Sequence, residues 1–152
     1  MVASTVDRVP RHTSQDLNRQ IEMQIADSVR WHAAHPEGID RRLHELDREW
    51  DVERTLEANA STLAFTGVML GAAVDKRWLA LPAIVTAFLF QHAVQGWCPP
   101  LPILRRLGFR TASEIDTERY ALKALRGDFG LIGPGPHDHD SRASHALQAA
   151  RL

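Results

Sequence analysis

The pattern of apolar and polar positions changes character twice along the chain. From Thr13–Ser14 to about Ala34, Leu17, Ile21, Ile25 and Val29 recur at every fourth residue. That is the spacing of one helix face, and either hydroxyl at its start can serve as the N-cap. Pro36 and Gly38 break the pattern. It resumes at Ile39, Leu43, Leu46 and Trp50 on an otherwise charged surface, which predicts a second amphipathic helix. A nearly continuous apolar stretch follows: Ala58–Val74 has 17 residues without a charge, Asp75-Lys76-Arg77 interrupts, and Trp78–Trp97 has 20 more. As helices these arms measure roughly 25 and 30 Å, close to the hydrocarbon thickness of a bilayer. Trp78 and Trp97 bracket the second arm at the depth amphipathic rings prefer. The first arm is the weaker, because it opens with Asn59, Ser61 and Thr62. Beyond Pro99-Pro100, Leu101–Leu107 reads as an interfacial turn with Arg105 and Arg106 at the lipid headgroups. Amphipathic spacing then returns: Thr111-Ala-Ser-Glu114 has the form of a capping box and predicts a helix to about Arg126, with Ile115, Ala121, Leu122 and Leu125 to one side.

The expected fold is therefore all-α. Residues 1–12 form a disordered N-terminus, 13–57 a cytoplasmic helical region, and 58–104 a transmembrane hairpin with spans 58–74 and 78–97. A cytoplasmic helix follows over 105–128, and Gly127, Gly130, Gly133, Pro134, Gly135 and Pro136 lead into a disordered tail over 129–152. The mean hydropathy of −0.27 is that of a soluble protein and supports a competing reading, a soluble helical interaction protein with a buried hairpin. That average, however, mixes an apolar hairpin with two polar flanks. No apolar stretch over 1–29 suggests a cleavable signal. Arg41, Arg42, Arg48 and Arg54 precede the hairpin and Arg105, Arg106 and Arg110 follow it, against Lys76 and Arg77 in its turn. The positive-inside bias thus puts both termini in the cytoplasm.

Net charge changes the picture little. At −1 the chain has no basic excess, which argues against a nucleic-acid partner. A single cysteine, Cys98, excludes an internal disulfide and a multi-cysteine metal site. His32, His35 and His44 straddle the Pro-Gly break, and His137, His139 and His145 lie in the tail; solvated histidines are the expectation for both groups, with no metal and no cofactor. Neither a nucleophile motif nor a Gly-rich phosphate loop is visible, so no catalytic residue is assigned.

Two patterns inside the arms are more specific. Ala60, Ala64, Gly67 and Gly71 form a small-residue stripe containing a GxxxG. In lipid such a stripe lets two backbones approach, either to form a homo-oligomer or to seat the second arm. Gln91, His92 and Gln95 interrupt the end of the second arm. Gln91, Gln95 and Cys98 share one helix face, as interhelical glue or as a polar lining that leads to the thiol.

Arg54 before the first arm, a Gly-rich arm, a short charged turn, a second arm and Gly96-Trp97-Cys98-Pro99-Pro100 resemble the YgaP-like inner-membrane domain family of bacteria. The likeness covers roughly Asp51 to Phe109, with Arg54, Gly96, Cys98 and Pro99 at the motif positions. It implies a two-helix hairpin of the bacterial inner membrane, fused in some members to a rhodanese that carries persulfide on a cysteine. This chain has neither a second cysteine nor an α/β domain, so only the anchor carries over. The resulting expectation is a non-enzymatic, oligomeric membrane anchor or scaffold for a cytoplasmic protein partner. The alternative is a thiol-dependent sulfur carrier or small-anion conduit that uses Cys98.

Overall fold

The computed structural model describes residues 6–130 and 143–147. The chain runs as helices, and among the described residues there is no strand. In order these are α1 (Gln15–Ala34), α2 (Ile39–Arg48), α3 (Val52–Ala73), α4 (Ala80–Gln95), α5 (Leu101–Arg106) and α6 (Ala112–Arg126). The all-α expectation is met. Two units divide the chain, one from the segments Met1–Met23 and Trp50–Ile115, the other from Gln24–Glu49 and Asp116–Leu152.

In the first unit α3 and α4 form an antiparallel hairpin. Asp51 starts α3 from an extended backbone, its carboxylate accepting the Arg54 amide hydrogen at 2.6 Å. Inside that first turn the Val52 amide donates to the Arg110 carbonyl at 2.9 Å, so a helix-end donor is satisfied from a distant segment. At the far end Asp75 accepts the Arg77 amide at 2.8 Å and opens a 3-10 turn, Lys76–Leu79, that feeds α4. Gly67 and Gly71 lie against the returning arm with no room for a side chain. A Cβ on Gly67 would lie 2.5 Å from Pro82 Cδ, and one on Gly71 2.6 Å from a Leu79 methyl. The small-residue stripe therefore serves packing within the chain. Ala60 and Ala64 on the same stripe are half-buried.

Only one of the two arms, as Lys76–Gln95, is long and apolar enough to cross a membrane among the described residues. The first arm falls short because Asn59, Ser61 and Thr62 dilute its opening turns, and α3 begins in charged sequence at Val52.

Three expectations about the ends of the hairpin need correction. Within the N-terminal stretch expected to be disordered, the described residues include a 3-10 turn at Pro10–His12, and Val9 is 1% exposed. Val9 is held there because Val52, Leu56, Cys98, Leu101 and Leu104 need an apolar cover, and it completes their cluster. The supposed interfacial turn is a helix, α5, with Leu101 and Leu104 buried in that cluster. Arg105, expected at the headgroups, is 1% exposed, whereas Arg106 is exposed.

The second unit follows soluble rules. Ile39, Leu43 and Leu46 of α2 are buried, and Asp40, Arg41 and Glu45 between them face outward. Trp50, read as the fourth position of that stripe, falls after the helix and is exposed, with the Arg54 guanidinium 4.4 Å from its ring. Glu118, fully buried, accepts a bidentate pair from Arg42 Nε and Nη2 at 2.8 and 3.1 Å and a hydrogen bond from Ser28. His32 and His35 each bond a carbonyl one turn back in α1, at 2.8 and 2.9 Å. In the tail, 143–147 are helical rather than irregular, while 131–142 and 148–152, with His137 and His139, lie outside the described residues.

Candidate functional site

The base of the hairpin, opposite the Asp75 turn, gathers the chemistry of the first unit. Gly96 ends α4 in the left-handed conformation, with φ 78° and its amide donating to the His92 carbonyl at 2.7 Å. A Cβ there would lie 2.6 Å from the backbone of Arg8, so glycine is required both by the turn and by the chain crossing it. Arg8 donates from Nη1 to the Ala93 carbonyl at 3.2 Å and pairs through Nη2 with Glu53 at 3.5 Å. A cation at the carbonyl end of a helix is favourably placed.

His92 lies beneath this crossing. It is 4% exposed, and neither ring nitrogen has a hydrogen-bond partner among the described residues. It forms one end of a groove of about 280 Å³ between α3 and α4, walled by Leu56, Ala60 and Leu63 on one side and Val85, Phe88 and Leu89 on the other. Cys98, Pro99 and Pro100 close the same end. Asn59 also reaches the groove, but its amide already donates to the Thr55 carbonyl at 2.9 Å.

The sequence reading placed Gln91, Gln95 and Cys98 on a shared line. The structure instead pairs the thiol with His92 in one groove, and the two glutamines face each other outside it at 3.5 Å. The chain leaves α4 at Gly96, so helical spacing no longer governs where Cys98 lies. Cys98 is buried in the Val9–Val52–Leu56 cluster. Burial pushes its thiol up, offset only in part by the Leu101 backbone N–H, which disfavours the thiolate a nucleophile needs. Trp97 packs half-buried on the same cluster, and Trp78 is exposed at the other end of the hairpin.

Arg105 anchors the base. Its Nη1 and Nη2 bond the two oxygens of Glu114 at 2.7 Å each. Nε donates to Thr13 Oγ1, Nη2 to Asn18 Oδ1 and Nη1 to the Phe109 carbonyl, at 3.1, 3.2 and 3.0 Å. Glu114 is also the capping-box acid, accepting the Thr111 amide at 2.8 Å while Thr111 Oγ1 accepts the Glu114 amide. Burial works against the Glu114 carboxylate, yet the hydrogen bonds from Arg105 and Thr111 outweigh it and hold its pKa below the ordinary value. Sequence reasoning missed Arg8, Glu53 and the role of Arg105. Glu53, one turn ahead of an apolar arm, was the only available hint; Arg8 sits in a stretch with no periodicity.

Among the described residues no cluster of three or more histidine, cysteine or acidic side chains could hold a metal. No family model, curated protein or solved structure matches the chain.

Proposed function

We propose that the chain is a non-enzymatic membrane hairpin whose helical flanks stay in water and engage a cytoplasmic protein partner. One observation carries this reading: only 6% of the apolar window in Lys76–Gln95 is buried. A core helix of a soluble protein hides such a surface. Here Phe65, Met69, Val74, Ile84 and Phe90 are all more than half exposed, at 67, 51, 70, 54 and 72%. In water so many exposed large apolar side chains mark an interaction site, and one arm long and apolar enough to cross a bilayer makes lipid their natural solvent. The polar side chains on these arms suit that solvent, since the Thr62, Thr66 and Thr86 hydroxyls donate to carbonyls of their own helices.

The arginines flanking the base favour cytoplasmic termini, and the resemblance of Arg54 and Gly96-Trp97-Cys98-Pro99 to the inner-membrane family favours a bacterial inner membrane. The Gly67–Gly71 face packs on Leu79, Leu81 and Pro82 of the returning arm, so a homo-oligomer would use another face. Burial of Cys98 weighs against a sulfur carrier or anion conduit. The test is alkaline carbonate extraction of the untagged protein from bacterial membranes. Retention in the pellet is expected; full release would replace this reading with a soluble bundle.

A further inference from the structure

We propose that the groove between α3 and α4 binds a quinone of the membrane-soluble, prenyl-tailed class, with the ring carbonyl seated on His92. The walls are apolar and the groove is partly open, which suits a flat ring whose tail extends out of it. Its volume, about 280 Å³, lies at the small end of ligand pockets, room for a ring rather than a large polar cofactor.

The polar end decides the class. Asn59 has spent its donor on Thr55. His92 is buried in the groove wall with both nitrogens unpartnered, and a neutral imidazole offers one N–H donor and one acceptor. A bare acyl chain would leave both unused, at the cost attached to buried polar groups. An anionic head such as a fatty-acid carboxylate would need a cation in the groove. Arg8 does not line it and holds the Ala93 carbonyl and Glu53 through its two Nη atoms, which leaves only Nε unpartnered among the described residues. The unpaired Oε2 of Glu53 would repel the anion. A quinone carbonyl accepts from the imidazole N–H, and the corresponding quinol hydroxyl donates to the other nitrogen. A neutral ligand of this kind engages one His92 nitrogen in each form, the N–H in the quinone and the acceptor in the quinol, without a new charge. The inference depends on the bilayer reading only for how the ligand arrives.

The probe is a fully substituted benzoquinone with a decyl tail, whose ring has no open carbon for thiol addition. It is titrated into the full chain in quinone-free nanodiscs with imidazole-15N histidine, and the His92 signals are identified by their absence in His92→Phe. Saturable movement of both His92 nitrogen signals is expected, as is at least tenfold weaker binding to His92→Phe. His92→Gln, which keeps a donor, should stay within threefold of wild type, and decylbenzene should leave the His92 signals in place. His92 signals that stay fixed to saturation, that move equally with decylbenzene, or a His92→Phe affinity within threefold of wild type would overturn the site. If the phenylalanine variant does not fold, the wild-type titration and its decylbenzene control decide alone, with signals assigned through His92→Gln. Carbonate release combined with a moving His92 signal would reject the membrane reading and keep the site; retention with a silent His92 would do the reverse.

Discussion

The arms of the hairpin and its base are built on opposite rules within one unit. Along the arms, large apolar side chains point outward and a close seam lies at Gly67 and Gly71. At the base, Val9, Val52, Leu56 and Leu101 are at most 5% exposed, and Arg105 and Glu114 are paired with each other, while the His92 nitrogens are not paired among the described residues. Arg105 makes five hydrogen bonds there. Burying a Val or Leu side chain contributes about 1.5–3 kcal/mol in water, so the base can hold itself together by ordinary core formation. The arms bury too little to do so, and the membrane reading proposed above supplies a solvent in which exposure of Phe and Met costs nothing. On the proposed membrane reading, the change of solvent falls near Gly96, where α4 ends and Arg8 crosses it.

Breaking the base should have the largest effect. Arg105→Leu leaves the Glu114 carboxylate mostly buried without its bidentate partner, a loss of about 3–5 kcal/mol. It should appear as a lower thermal midpoint by circular dichroism in mild detergent. The double variant Arg105→Leu, Glu114→Gln should recover part of that loss; no recovery would mean the pair matters only as packing. Gly96→Ala comes next, because it forces a Cβ into the Arg8 backbone and an alanine into the left-handed region, together about 2 kcal/mol or more. Gly67→Leu should cost about 1–3 kcal/mol by prising the arms apart, while Val68→Leu on the exposed face should stay within about 0.5 kcal/mol. Equal behaviour of those two leucine variants would remove the seam.

Within the hairpin, acid should act on the base rather than on the arms, with the smallest effect. The folded pKa of Glu114 lies below its unfolded value, so its contribution is complete above the ordinary glutamate pKa of about 4.3 and is lost as pH falls below that. Thermal midpoints measured downward from pH 6 should fall at the acid end in the wild type and less in Glu114→Gln. Parallel curves would show that another carboxylate controls the transition.

Much of the fold was legible because its signals are local. The four-residue spacing from Leu17 to Val29 and the Thr111–Glu114 capping box mark α1 and α6, and the length of each apolar run marks the arms. The site was less legible because non-local contacts make it. Nothing in the spacing of Arg8, Glu53 and His92 says that they meet. Arg105 next to Arg106 reads as a headgroup pair until one guanidinium finds Asn18 and Glu114. The Gln91–Gln95–Cys98 line failed at Gly96, where a left-handed residue redirects the chain.

The central claim, that the arms cross a bilayer while the base stays on the cytoplasmic side, is tested most directly at the tip. In a Cys98→Ala background, Lys76→Cys should react with a membrane-impermeant maleimide added outside intact spheroplasts, and a cysteine at exposed Arg106 should react only after lysis. Protection of Lys76→Cys until lysis, with both positions then labelled alike, would contradict the spanning hairpin.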